Sequence, residues 1–98
     1  MRNTDDVRRA LVKQVRRGII DLLNLAYPAA LDYDTICGSF VDTDEHYIKR
    51  DLSYLVEAGY LTWVNKESNA PWAGRKFRLT TEGVDLALKI NTDPAISP

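Results

Sequence analysis

A single cysteine, Cys37, rules out an internal disulfide and leaves too few thiolates for a cysteine-based zinc site. A buried free thiol is expected there. Histidine is as scarce: His46 stands alone, with no compelling Cys or Ser partner and no metal-spaced ligand set. No glycine-rich phosphate loop is present either. These absences argue against catalysis and against any cofactor or metal. No stretch nears the roughly 18 to 20 apolar residues that a membrane span needs, and MRNTDDVRR holds no signal-peptide core. A soluble, cytoplasmic protein with no membrane partner is expected, without internal repeats or a domain linker.

A strong charge of one sign is also missing. Thirteen Lys/Arg stand against 14 Asp/Glu, a net charge of −1, whereas phosphate binding usually leaves a basic footprint. The distribution is more informative than the total. Residues 1–20 carry six basic against two acidic side chains, and residues 21–60 carry two against eight. Residues 61–79 carry four against one, and residues 80–98 one against three. Two basic islands therefore sit in a mildly acidic chain. At 98 residues and 45% apolar content, one ordinary globular core is expected.

From Thr4 or Asp5 to Ala26, apolar residues recur at Val7, Leu11, Val15, Ile19, Leu22 and Ala26, the spacing of a helix. Asp5 and Asp6 suit its start, and Tyr27-Pro28 ends it. Placed on a wheel, Val12, Leu23 and Leu25 join the apolar arc, while Arg9, Lys13, Arg16 and Arg17 share the other side with a stray Ile20. That side reads as a solvated face or a partner surface.

Asp32 can cap a short second helix with Tyr33, Ile36, Cys37 and Phe40 at i, i+3, i+4 and i+7. The segment Asp42-Thr43-Asp44-Glu45 offers N-caps, including an Asp42 to Glu45 capping box, for a third helix over residues 44–58. Ile48, Leu52, Leu55 and Val56 form its apolar face, and Gly59 marks its end. His46, Lys49, Arg50, Ser53 and Glu57 project from the far side. Residues 60–64 and 75–80 alternate as a hairpin, with Leu61, Trp63, Phe77 and Leu79 inward and Thr62, Val64, Lys76 and Arg78 outward. Lys66 to Gly74 connects them. Thr80 or Thr81 then caps a last helix, with Val84, Ala87, Leu88 and Ile90 as its buried stripe. The tail 92–98, with two prolines and no period, is expected to be flexible.

Three helices, a two-stranded ribbon and a final helix form the order of an α+β, mostly α, winged helix-turn-helix domain over residues 1–91. IKRDLSYLVEAGYL (Ile48 to Leu61) resembles the recognition-helix signature of DeoR-type regulators: an aliphatic residue, two basic residues, Asp and Leu, then Leu and Gly before the wing. Leu79-Thr80-Thr81-Glu82-Gly83 is similar to the entry to the last helix of MarR- and PadR-like proteins. Length and pattern are also similar to small winged-helix proteins of Mu-like prophages.

The resemblance implies a cytoplasmic transcription regulator that puts its third helix in the major groove of duplex DNA and its wing on the backbone. Lys49 and Arg50 match the paired basic positions, and His46 and Ser53 flank them. Lys66, Arg75, Lys76 and Arg78 would meet phosphate from the wing. Asp51 would orient Arg50 or a wing residue. Arg50 alternatively pairs with Glu57 or Asp51, and Trp72 either anchors a partner or folds back over the ribbon. Tyr47 and Tyr54 would pack against the second helix or the wing. A homodimer through Val12, Ile20, Leu23 and the C-terminal helix is further implied.

One departure matters. Asp42, Asp44 and Glu45 crowd the end of the third helix that would approach bases, where the DeoR-type pattern has small polar residues. Carboxylates repel phosphate, so they suit a capped helix end or a basic protein partner. The alternative reading is a protein-interaction module or phage accessory factor without DNA binding.

Overall fold

In the computed structural model, residues 4–66 and 69–98 are described; residues 1–3 and 67–68, the latter within the expected wing loop, lie outside them. The elements run α1 (Thr4–Ala26), β1 (Leu31–Asp32), α2 (Tyr33–Gly38), α3 (Glu45–Glu57), β2 (Leu61–Trp63), a 3-10 turn (Trp72–Gly74), β3 (Lys76–Leu79) and α4 (Thr81–Ala87). The chain is α+β and mostly helical, with one antiparallel sheet in the order β1-β3-β2. β1 was not expected. A two-residue strand is too short to show alternation, and it exists because β3 offers a free edge, pairing Leu31 with Phe77 and Asp32 with Lys76.

The expected hairpin is present as an antiparallel pair. Leu61 faces Leu79, Thr62 faces Arg78 and Trp63 faces Phe77. Alternation then sends Leu61, Phe77 and Leu79 into the core and leaves Lys76 and Arg78 exposed. That core is completed by Ile19, Ile20 and Leu23 of α1, Tyr33 and Ile36 of α2, Ile48, Leu52 and Leu55 of α3, and Leu86 of α4.

The face of α1 differs from the expected one. Ile20, expected among the basic residues, is 0% exposed, whereas Leu11 is 55% and Leu25 85% exposed. The buried arc is rotated toward Arg16 and Arg17 because remote segments supply acceptors for both guanidiniums. Arg17 donates to the Leu86 and Ala87 carbonyls at 2.9 and 2.8 Å, closing the last turn of α4, and it pairs with Asp21 at 3.1 Å. The homodimer seam expected at Val12, Ile20 and Leu23 is corrected accordingly: Ile20 and Leu23 lie wholly inside the subunit, and Val12 is half-buried. The stripe on α4 shifts similarly, with Gly83 and Leu86 buried and Leu88 and Ile90 exposed.

The C-terminal segment, expected to be flexible, packs on the body. Ile96 is 4% exposed, and the Ser97 N–H donates to the Lys13 carbonyl at 3.2 Å. The Tyr60 hydroxyl donates to Asp93 at 2.6 Å, and that bond, with burial, pushes the Tyr60 pKa up to about 12. Two further caps follow the sequence reading. Asp32 accepts from the Thr35 N–H at 3.1 Å, and hydrogen bonding to the Thr35 side chain and then to its backbone holds the Asp32 carboxyl below its usual pKa; Thr80 accepts from the Gly83 N–H at 3.2 Å. Gly59, with φ of +89°, supplies the left-handed residue that ends α3.

Candidate nucleic-acid interface

α3 buries Ile48, Leu52 and Leu55, so the 3.6-residue period sends His46, Arg50 and Ser53 to solvent. Lys49, on the same side, is half-buried: its ammonium leans toward the Tyr33 and Trp72 rings, 6.0 and 5.9 Å from their centroids. Arg50 keeps 40% of its side chain exposed while resting against the Tyr47 ring at 4.9 Å.

Behind Arg50 stands Asp51, a carboxylate with no exposed surface. It accepts from Arg50 Nε and Nη2 at 3.3 Å each and from Arg16 Nε at 3.1 Å. Arg16 in turn donates to the Ala95 carbonyl at 3.2 Å and lies 3.7 Å from the Tyr54 ring centroid. A buried carboxylate paired with two guanidiniums, one of them bonded onward to a carbonyl, is the satisfied form of a charge that alone would be very unfavourable. The wheel puts Arg16 on a side read as a solvated face or a partner surface; its partner within the chain is 35 residues away, and no local spacing signals it. Tyr47 and Tyr54 serve as surfaces for arginines; Tyr54 also packs against the core, while Tyr47 is exposed.

The acidic start of α3 is largely occupied with structural work. Asp44, one of the N-caps the segment offers, is the cap used, accepting from the His46 N–H at 2.8 Å, two residues nearer the helix than the Asp42 of the expected Asp42 to Glu45 capping box. Glu45 accepts from the Tyr33 hydroxyl at 2.9 Å. Burial raises the Tyr33 pKa well above its ordinary value, and hydrogen bonding to Cys37 and Glu45 adds to the rise. Asp42 remains exposed.

On the ribbon, Lys66, Lys76 and Arg78 are exposed. Arg75 is different. Its guanidinium lies 4.1 Å from the centroids of both Trp63 and Trp72, and its Nε donates to the Ala70 carbonyl at 3.4 Å. Of the four ribbon cations it is the one held against the protein itself, and as a phosphate contact it is withdrawn. Trp72 folds back, 5.4 Å from Tyr33 and 6.3 Å from Phe77 between ring centroids. Asn65, not anticipated from sequence, shapes the same loop by accepting from Trp63 Nε1 at 2.6 Å and the Lys76 N–H at 3.0 Å, and by donating to the Gly74 carbonyl at 2.7 Å.

Protein-family models, curated proteins and solved structures give no match. The site is therefore read from its own geometry. Among the described residues no group of His, Cys, Asp and Glu is arranged to hold a metal ion, and no helix is long and apolar enough to cross a membrane. A groove of about 700 Å³ runs between the first half of α1 and the start of α3, with Leu11, Val12, Val15 and Tyr47 beside Asp42 and Asp44 and the arginines Arg8 and Arg50.

Proposed function

We propose that this chain is a winged helix-turn-helix regulator that binds duplex DNA, with α3 in the major groove and the β2–β3 ribbon along the backbone. The observation that carries the reading is the orientation of α3. Its apolar side docks on the core through the fully buried Ile48, Leu52 and Leu55, which leaves His46, Arg50 and Ser53 in solvent while the ribbon and its loop display Lys66, Lys76 and Arg78. An α-helix of this diameter fits the major groove, where a guanidinium can grip guanine O6 and N7 or a phosphate. The element order, with β1 completing a small sheet beside the ribbon, fits the winged arrangement, and the DeoR-like segment Ile48 to Leu61 supports it.

Fluorescence anisotropy with genomic duplex fragments at low salt tests the reading. Binding should weaken with salt by about 0.9 log units per log unit of salt for each phosphate contact, and about four contacts are expected. Arg50→Ala should weaken binding and Arg78→Ala should flatten the salt slope by about one contact. Failure to bind any duplex at low salt defeats the proposal.

The groove between α1 and α3 favours a second reading, a docking site for a protein segment. Its apolar floor, edged by Asp42 and Asp44 and by Arg8 and Arg50, suits an amphipathic helix with charges of both signs beside its apolar face. Such binding would respond to Leu11→Glu and Asp42→Lys and would leave Arg78→Ala without effect.

A further inference from the structure

We infer that Trp72 is a positioning residue that fastens the ribbon to α3 by holding the Lys49 ammonium; only its effect on affinity rests on the duplex-binding reading. Cations and rings alternate across three parts of the fold. Lys49 of α3 lies 5.9 Å from the Trp72 centroid, the Arg75 guanidinium lies 4.1 Å from the same ring, and Arg75 is also 4.1 Å from Trp63 of β2. Tyr33 of α2 adds a second ring to the Lys49 site at 6.0 Å and sits 5.4 Å from Trp72.

The indole therefore does more than fill space. An aromatic face attracts a cation through its quadrupole, which an aliphatic side chain of similar bulk does not. A lysine on an exposed helix face samples many rotamers and loses that freedom when a ligand fixes it. Held by Trp72, Lys49 has already lost part of it. The same indole carries Arg75, so the ribbon and the helix share one ring, and Lys76 and Arg78 are set at a defined distance from α3. Arg75 contributes to the interface as a clamp on the ribbon.

The test separates π character from bulk. Trp72→Leu retains apolar volume and Trp72→Phe retains a ring face. In the wild type the Lys49 ε-methylene protons should resonate upfield from ring currents; the shift should shrink in Trp72→Leu and be largely kept in Trp72→Phe. With a mixed-sequence duplex at low salt, Trp72→Leu should lose about two- to fivefold in affinity, the size of one exposed cation–π contact. Trp72→Phe should restore most of it. Lys49→Ala added to Trp72→Leu should cost less than Lys49→Ala alone, because the two act through one contact.

An unshifted Lys49 in the wild type, full affinity in Trp72→Leu, or strictly additive losses would each overturn the inference. A wild type that shows the shift, loses it in Trp72→Leu and yet binds no duplex leaves the tether standing and removes the DNA reading. Thermal melts of each variant identify any that has lost its fold, and the Trp72→Phe shift then decides.

Discussion

Asp51 shows how much a single side chain organises here. Its buried carboxylate is shared by Arg16, which faces inward, and Arg50, which reaches solvent. Asp51→Ala leaves a nearly buried guanidinium without its carboxylate, and breaking such a pair costs about 3 to 5 kcal/mol. Chemical denaturation should show that loss, and a change under about 1 kcal/mol would mean that Arg16 finds water instead. Arg75→Ala and Arg78→Ala make a second contrast. Clamped between two indoles, Arg75 should lower the melting temperature when removed and leave the salt slope of duplex binding alone; Arg78 should do the reverse. Tyr60 gives a pH signature. Its folded pKa of about 12 lies above the ordinary value of 10, so the Asp93 bond contributes stability below pH 10 that disappears as pH rises from 10 through about 12. Tyr60→Phe should remove that part of the alkaline arm of a stability profile measured by urea melts, and an unchanged arm would exclude the bond as its source.

Among the elements, α3 and the ribbon were legible because their periods are unbroken: Ile48, Leu52 and Leu55 repeat at helical spacing, and Leu61, Phe77 and Leu79 alternate into the core. The N-caps Asp32 and Thr80 were legible as well, since capping is a local matter. The face of α1 was not. A wheel assumes that arginines seek water, but Arg16 and Arg17 find acceptors in Asp51, Ala95, Leu86 and Ala87, all far along the chain. Leu23→Ala should therefore cost about 2 to 5 kcal/mol in thermal unfolding, as a large-to-small change in a packed core does. Leu25→Ala should stay within about 0.5 kcal/mol, the range of a surface change. Comparable losses would restore the original wheel. Gly83, the last residue of the Leu79 to Gly83 segment, has a physical reason: a Cβ there would collide with the Tyr60 carbonyl oxygen where α4 crosses the entry to β2. The candidate interface was half legible. Exposure of His46, Arg50, Ser53, Lys76 and Arg78 followed from periodicity and that of Lys66 from its place in the connecting loop, while the withdrawal of Arg75 and the leaning of Lys49 depend on Trp72, whose fold-back no local pattern dictates.

At the scale of the whole molecule, the last residues are joined to the putting-together of everything else through Arg16. That guanidinium touches a carbonyl near the chain's end, a carboxylate on α3 and a ring one turn further along the same helix. A chain shortened after Asn91 would lose the Ile96 plug as well as the Ala95 acceptor. Whatever pulls on the final residues thus tugs on the root from which Arg50 springs, so a fusion, a tag or a neighbouring domain attached there would be felt at Arg50 through Arg16 and Asp51 without touching it.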